Sequence, residues 1–213
     1  MLDFEAIYLS FKLAFCTLLL IIPLGIWVSL YLVNAGRIKP WLEGFLALPL
    51  VLPPTVLGYY FLVSFSGQHL FGQPLVFSFL GLLIASLVVN LPFAIQPIQR
   101  AFEAIPKEIR EAAQMSGLNA WQTFRLIELP LAWKGILSAA VLTFAHTIGE
   151  FGVVLMVGGA IPGETKTASI AIYDQVQSLD SQGASAMALL LLMISFIAIA
   201  LSYGILGRKR SVS

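Results

Sequence analysis

Residues 111–130 read Glu111-Ala112-Ala113-Gln114-Met115-Ser116-Gly117-Leu118-Asn119-Ala120-Trp121-Gln122-Thr123-Phe124-Arg125-Leu126-Ile127-Glu128-Leu129-Pro130, and long apolar stretches flank them on both sides. A polar segment of this length between membrane spans must work in water. Its spacing is E-A-A, three residues, G, nine residues, then I-x-L-P. The short E-A-A is common in helices; the whole pattern, set between hydrophobic spans, is far more specific.

The spans follow from composition. Of 213 residues, 59% are hydrophobic and 11% charged, and the mean hydropathy is +0.91, outside the range of ordinary soluble domains. A helix needs about 20 apolar residues to cross a bilayer. Five stretches qualify, approximately 10–33, 44–65, 74–95, 135–157 and 186–206. The alternative, five buried core helices, would demand a soluble domain larger than this chain can build. The expectation is an all-α membrane protein with five transmembrane helices in one domain, 8–206. The third span is the least regular, with Pro92 near its end and Ser78, Ser86 and Asn90 among its apolar residues.

Positive charge sets the orientation. With the N-terminus outside, the inner segments carry Arg37, Lys39, Arg100, Lys107, Arg110, Arg125, Lys134, Arg208, Lys209 and Arg210, which is ten of the twelve basic residues. Lys12 and Lys166 fall at or beyond the outer face, among Asp3, Glu5, Glu164, Asp174 and Asp180. The segment 101–134 and the C-terminus are therefore expected in the cytoplasm, with Lys12 snorkelling outward. The first apolar run is too long for a secretory signal and lacks a basic flank, so it is read as a retained span. A single cysteine, Cys16, offers neither an internal disulfide nor a cysteine metal cluster. The small net charge of +1 implies no nucleic-acid partner.

Locally, the cytoplasmic segment reads as a helix–Gly–helix elbow. Pro106 suits a helix start, and Lys107 to Ser116 continues as a short helix. Ala112, Ala113 and Ser116 form a patch of small side chains, and Gly117 can end the helix in a left-handed cap. Asn119 can cap a second helix from Ala120, with Gln122 completing a capping box and Pro130 after the helix ends. Left to periodicity alone, this could equally be a solvated loop held by pairs such as Lys107/Glu111.

The complete spacing resembles the coupling loop of the membrane subunits of ATP-binding-cassette importers of type I. That resemblance implies docking of the elbow into a groove on a separate ATPase, with Glu111, Ala112, Ala113, Gly117, Ile127, Leu129 and Pro130 at the family's positions. Closure of two ATPase copies would then switch the spans between inward-open and outward-open states. The chain itself is not expected to bind ATP or any cofactor, or to be an enzyme. Its nearest approach to a phosphate loop, Gly158 to Thr165, has Glu164 where the lysine must stand.

Two features bear on a substrate path. Thr143, His146, Thr147 and Glu150 share one face of the fourth span, at i, i+3, i+4 and i+7. Polar groups at this depth border water-filled paths or bind helices together, and the pattern does not decide between them. Pro53 and Pro54 interrupt the second span, either as a plain kink or to open a helix N-terminus near Thr55 toward an oxyanion. Pro23 reads as a kink in the first.

His146 to Gly152, Gly158 to Asp174, and Pro49 to Val56 resemble the permeases of molybdate and sulfate importers, most of all those for molybdate, and the likeness runs nearly the whole length. A polar residue is expected where Ala160 stands, which weakens any ligand contact there. The resemblance implies two copies of the chain around one path, two ATPase subunits, an extracytoplasmic molybdate-binding protein, and tungstate as a companion substrate. Ile172, Val176 and Leu179, with Tyr173 beside them, suggest an amphipathic outer helix. A proton-coupled transporter using His146 and Glu150 would not need the elbow. A membrane hydrolase built on Ser138, His69 or His146 lacks an evident nucleophile–base pair.

Overall fold

In the computed structural model, which describes residues 2–206, three long helices form the centre. They are α1 (Phe4–Val33), α4 (Phe79–Glu103) and α7 (Leu129–Gly149). The basic tail Arg208-Lys209-Arg210 lies outside the described residues. Between lipid-like surfaces, helices gain little from apolar burial and associate instead through close packing and small residues. α1 meets α4 through Thr17, Gly25 and Ser29, all buried. Ser29 Oγ donates to the Ile95 carbonyl (3.1 Å), and a Cβ on Gly25 would stand 3.3 Å from Ile98. Gly135 lets α7 lie closer still, since a Cβ there would come 2.6 Å from the Pro97 carbonyl oxygen.

Two apolar clusters stack along α4. One joins Leu13, Leu82, Val89, Val153, Val157 and Ile170; the other joins Ile98, Phe102, Ile105, Ala132 and Ala139. α10 (Ser181–Leu206) packs on α7 and on the short helix α9 (Ala168–Gln177), and turns Leu189, Leu192 and Phe196 outward. Such an apolar exterior suits lipid, not water.

Among the described residues, four helices are long and apolar enough to cross a membrane, or five when a bent pair is counted as one broken span. That pair corrects the simple second span expected at 44–65. α2 (Lys39–Val51) and α3 (Pro54–Phe65) meet at 102°. Neither Pro53 nor Pro54 has an N–H to continue a helix, and Leu52, preceding a proline, is forced to an extended ψ of 137°. The third span starts later than residue 74. A two-residue antiparallel hairpin, β1 (His69–Leu70) with β2 (Gln73–Pro74), comes first, and Ser78 then caps α4 by accepting from the Gly81 N–H (3.2 Å). Pro92 and Pro97 leave α4 helical to Glu103.

The fourth span also differs from the expected 135–157. It breaks at Glu150 and Phe151 and resumes as α8 (Gly152–Gly158). The last span begins at Ser181 instead of 186. On α9, Ala168, Ile170 and Ala171 are the buried residues. Val176 and Leu179 of the expected apolar stripe face outward. Lys12, expected to snorkel, lies over the Phe79 ring at 4.4 Å.

Candidate functional site

The elbow starts at α5 (Lys107–Met115), for which Pro106 is the cap residue. Gly117 adopts φ +83°. Its N–H bonds the Gln114 carbonyl (2.9 Å) and the Leu118 N–H bonds the Ala113 carbonyl (3.2 Å), the paired bonds of a Schellman cap. Asn119 and Gln122 then exchange side-chain-to-backbone bonds, both 2.9 Å, at the start of α6 (Ala120–Thr123). Both turns are closed by neighbours in sequence.

Beyond α6 the expectation of a separate second helix ending before Pro130 fails. The chain runs through a π turn, Phe124–Glu128, directly into α7, with Pro130 in its first turn. The Leu129 N–H bonds the Phe124 carbonyl five residues back, a register that carries the helix past a residue without an N–H. The second arm of the elbow is thus the inner end of a membrane helix, and force on it acts on α7 itself.

The first arm is tied to the same frame. Arg110 Nε donates to Glu128 Oε1 (2.5 Å) and its Nη2 to the Phe102 carbonyl (3.1 Å). One guanidinium therefore binds α5, the π turn and the end of α4. Sequence reading missed this pair, because eighteen residues separate its members and no period marks them. The small-residue patch divides: Ala113 is buried at 4% exposure, while Ala112, Ser116, Glu111 and Gly117 are exposed. Ile127 and Leu129 are half-buried, and Pro130 is exposed. Met115 at 89% and Trp121 at 66% are exposed, Trp121 beside Phe124 with ring centres 5.4 Å apart.

The stripe on α7 belongs to a chain of polar side chains crossing the helix core. Thr17 Oγ1 and Ser86 Oγ lie 3.1 Å apart. Asn90 Nδ2 donates to the Ser86 carbonyl (2.8 Å), and Asn90 Oδ1 meets His146 Nδ1 (3.2 Å). His146 stacks on Phe93 with ring centres 4.1 Å apart, and its Nε2 is 3.6 Å from Glu150 Oε2. Glu150 Oε1 accepts from the Val153 N–H in the first turn of α8 (3.0 Å). Its backbone carbonyl, released by the break, accepts from Ser169 Oγ (2.6 Å). Polar backbone at membrane depth persists only where it finds such partners.

Thr147 bonds the Thr143 carbonyl (2.8 Å) and both threonines are buried between helices. The Thr147 bond stays within α7 and Thr143 Oγ1 has no hydrogen-bond partner among the described residues, whereas His146 and Glu150 are half-buried at the break. The interruption at Pro53 and Pro54 and the break after α7 come together. A Cβ on Gly152 would stand 2.8 Å from Pro54 Cβ, so the start of α8 abuts the start of α3, while Pro53, Pro54 and Thr55 are exposed.

On the other end, Lys166 bridges Asp174 (3.2 Å) and Asp3 (3.4 Å). Burial works against its charge, but Asp174 and Asp3 outweigh it and hold the ammonium above the usual lysine pKa. The loop after α8 closes on itself. Thr165 Oγ1 donates to the Gly158 carbonyl (2.6 Å) and accepts from the Ile161 N–H (3.1 Å).

Broken apolar helices around a tight three-helix core, with an exposed elbow fused to two of them, are the architecture of a membrane transport subunit. The chain belongs to the family of inner membrane components of binding-protein-dependent transport systems, whose model matches residues 21–212, and it is accordingly a multi-pass inner membrane permease. Among its relatives, the molybdenum transport system permease protein ModB of Azotobacter vinelandii is 41% identical, over 92% of this chain and 90% of that one. The ModB of Escherichia coli K12 is 34% identical over 94% and 92%. In fold the chain matches an inward-facing structure of the MetNI methionine ABC transporter with a TM-score of 0.71, at 17% identity, over 95% of this chain and 92% of that one.

Proposed function

We propose that this chain is the permease subunit of an ATP-driven molybdate importer that also carries tungstate. Two copies surround one path, served by two ATPase subunits and an extracytoplasmic molybdate-binding protein. The N-terminus lies outside, and residues 101–134 and the C-terminus lie in the cytoplasm. The domain is 8–206. Relatives named for molybdenum transport support the substrate.

The observation that carries the mechanism is the elbow. Its turns are closed by their own residues, its outer surface is exposed, and its arms are joined to α4 and α7. Glu111, Ala112, Gly117 and the exposed Met115 and Trp121 present the ATPase groove with a preformed surface. Ala113, Ile127, Leu129 and Pro130 shape it from behind. Nucleotide-driven closure pulls the elbow, moves α4 and α7 as struts, and alters the break at Glu150 and Gly152 and the neighbouring start of α3 at Pro53, Pro54 and Thr55. His146 Nε2 lies 3.6 Å from the Glu150 carboxylate, whose charge an imidazolium there would balance before an oxyanion. Thr143 and Thr147 are buried on the helix that leads into the break.

The test is uptake of labelled molybdate into proteoliposomes containing the chain, its ATPase and its binding protein, with sulfate as competitor. ATP-dependent molybdate uptake, little affected by sulfate, is expected. Uptake of sulfate in place of molybdate would keep the mechanism and change the substrate. Uptake driven by a proton gradient without the ATPase would overturn both.

A further inference from the structure

We infer that Asn90 is a positioning residue for the translocation path: through His146 and Glu150 it fixes where α8 begins. This rests on the reading of the α7–α8 break as part of the path. Asn90 is fully buried, so it does not itself meet substrate, and its surroundings show what it holds.

The direction of each bond is set. The Asn90 amide nitrogen is engaged by the Ser86 carbonyl at 2.8 Å, with Ser86 Oγ at 3.3 Å. That leaves Oδ1 to face the imidazole, so His146 donates from Nδ1. With Nδ1 facing Asn90 and one ring face against Phe93, Nε2 lies 3.6 Å from Glu150 Oε2, an ion pair when the ring is the imidazolium. Glu150 in turn uses its other oxygen to hold the Val153 N–H. Four residues thus relay a position from the middle of α4 to the first turn of α8, and Gly152 passes it to Pro54 by contact.

α4 makes this arrangement more than local glue. The helix that holds the ring at Asn90 and Phe93 is also the one whose end carbonyl, Phe102, is gripped by Arg110 of the elbow. One rigid helix therefore touches both the cytoplasmic elbow and the break within the membrane. A buried network in which each member sets the next is the kind of element that transmits a discrete change.

The experiment uses the whole reconstituted transporter carrying Asn90→Leu, Asn90→Ala, Glu150→Gln or the Leu/Gln double change. Two readouts are taken: amide hydrogen exchange over residues 150–158, and molybdate uptake against the concentration of loaded binding protein. Asn90→Leu is expected to speed exchange at 150–158. It should also lower the maximal uptake rate roughly ten-fold, on the scale of a lost bond in a buried charged network, without changing the half-saturating concentration. The double variant should be no worse than Asn90→Leu alone, because both act through one chain. Asn90→Ala removes the Oδ1 contact to His146 without adding bulk or charge and should also speed exchange at 150–158; it carries the test if the leucine variant fails to assemble.

Native exchange at 150–158 in Asn90→Leu, or additive losses in the double variant, would overturn the positioning role and leave the importer reading intact. Native protection of 150–158 in Asn90→Ala would also overturn it. Faster exchange with unchanged uptake would instead sink the reading of the break as part of the path.

Discussion

The elbow and the intramembrane break are both interruptions of helix, yet they are held in opposite ways. At the elbow, every turn is closed by residues within five positions: Gly117 with Gln114, Leu118 with Ala113, Asn119 with Gln122. At the break, Glu150 relies on His146 and Val153 nearby but also on Ser169, and His146 relies on Asn90 fifty-six residues away. Water permits a turn that stands by itself. The bilayer core offers no such substitute, so freed backbone and buried charge must be met from other helices. A locally closed turn can be presented to a partner as a finished surface; a turn closed from a distance moves when its distant supports move.

That contrast can be broken at several points. The largest effect is expected from Gly135→Leu, which forces a side chain into the Pro97 carbonyl and separates α4 from α7. Overpacking of this kind costs about 3 kcal/mol, and loss of the folded monomer in detergent on heating would measure it. Arg110→Ala comes next. It leaves Glu128 half-buried without its guanidinium, at a cost of about 2 kcal/mol, and should free the elbow from α4. Faster amide exchange over α5 in this variant, with 150–158 unchanged, would show that the two regions are separately held.

Smaller effects belong to the caps. Asn119→Ala removes one half of the capping box and should cost about 1 kcal/mol. Gly117→Ala meets open space but must take φ +83°, for about 1 kcal/mol of backbone strain. Gly117→Asn should be milder, since Asn accepts that conformation more readily. Chemical denaturation of the purified chain would rank the three.

The smallest effect concerns the Lys166 clamp. Its pKa is raised in the folded state, so its contribution is complete below the ordinary lysine value of about 10.4 and is lost as pH rises through the folded value. The difference in melting temperature between the native chain and Lys166→Met should therefore be constant from neutral to mildly alkaline pH, and should shrink only in strong alkali.

How much was legible follows the same division. The Gly117 cap and the Asn119/Gln122 box could be read because their chemistry is local. The apolar spans followed from hydropathy. The 102° turn at Leu52 and Pro53 was visible as an interruption but not as an angle, because the direction taken by α3 is set by Gly58 and Gly152 packing against Met156 and Pro54. The π turn that merges the elbow into α7 left Pro130 looking like a stop. Gly149-Glu150-Phe151-Gly152, an acid between two glycines in an apolar run, was the available signal for the break. Asn90 stood out only as a polar residue at membrane depth, and its partner on α7 is a matter of helix register that one sequence does not contain.

The central claim is that the elbow carries ATP-driven motion into the membrane. It is tested most directly by ATP hydrolysis of the reconstituted transporter, with and without loaded binding protein, for the native chain and Gly117→Asp. The account predicts stimulation by the binding protein in the native transporter and its loss in the variant, with the membrane domain still assembled. Equal stimulation in both, with uptake intact, would contradict it.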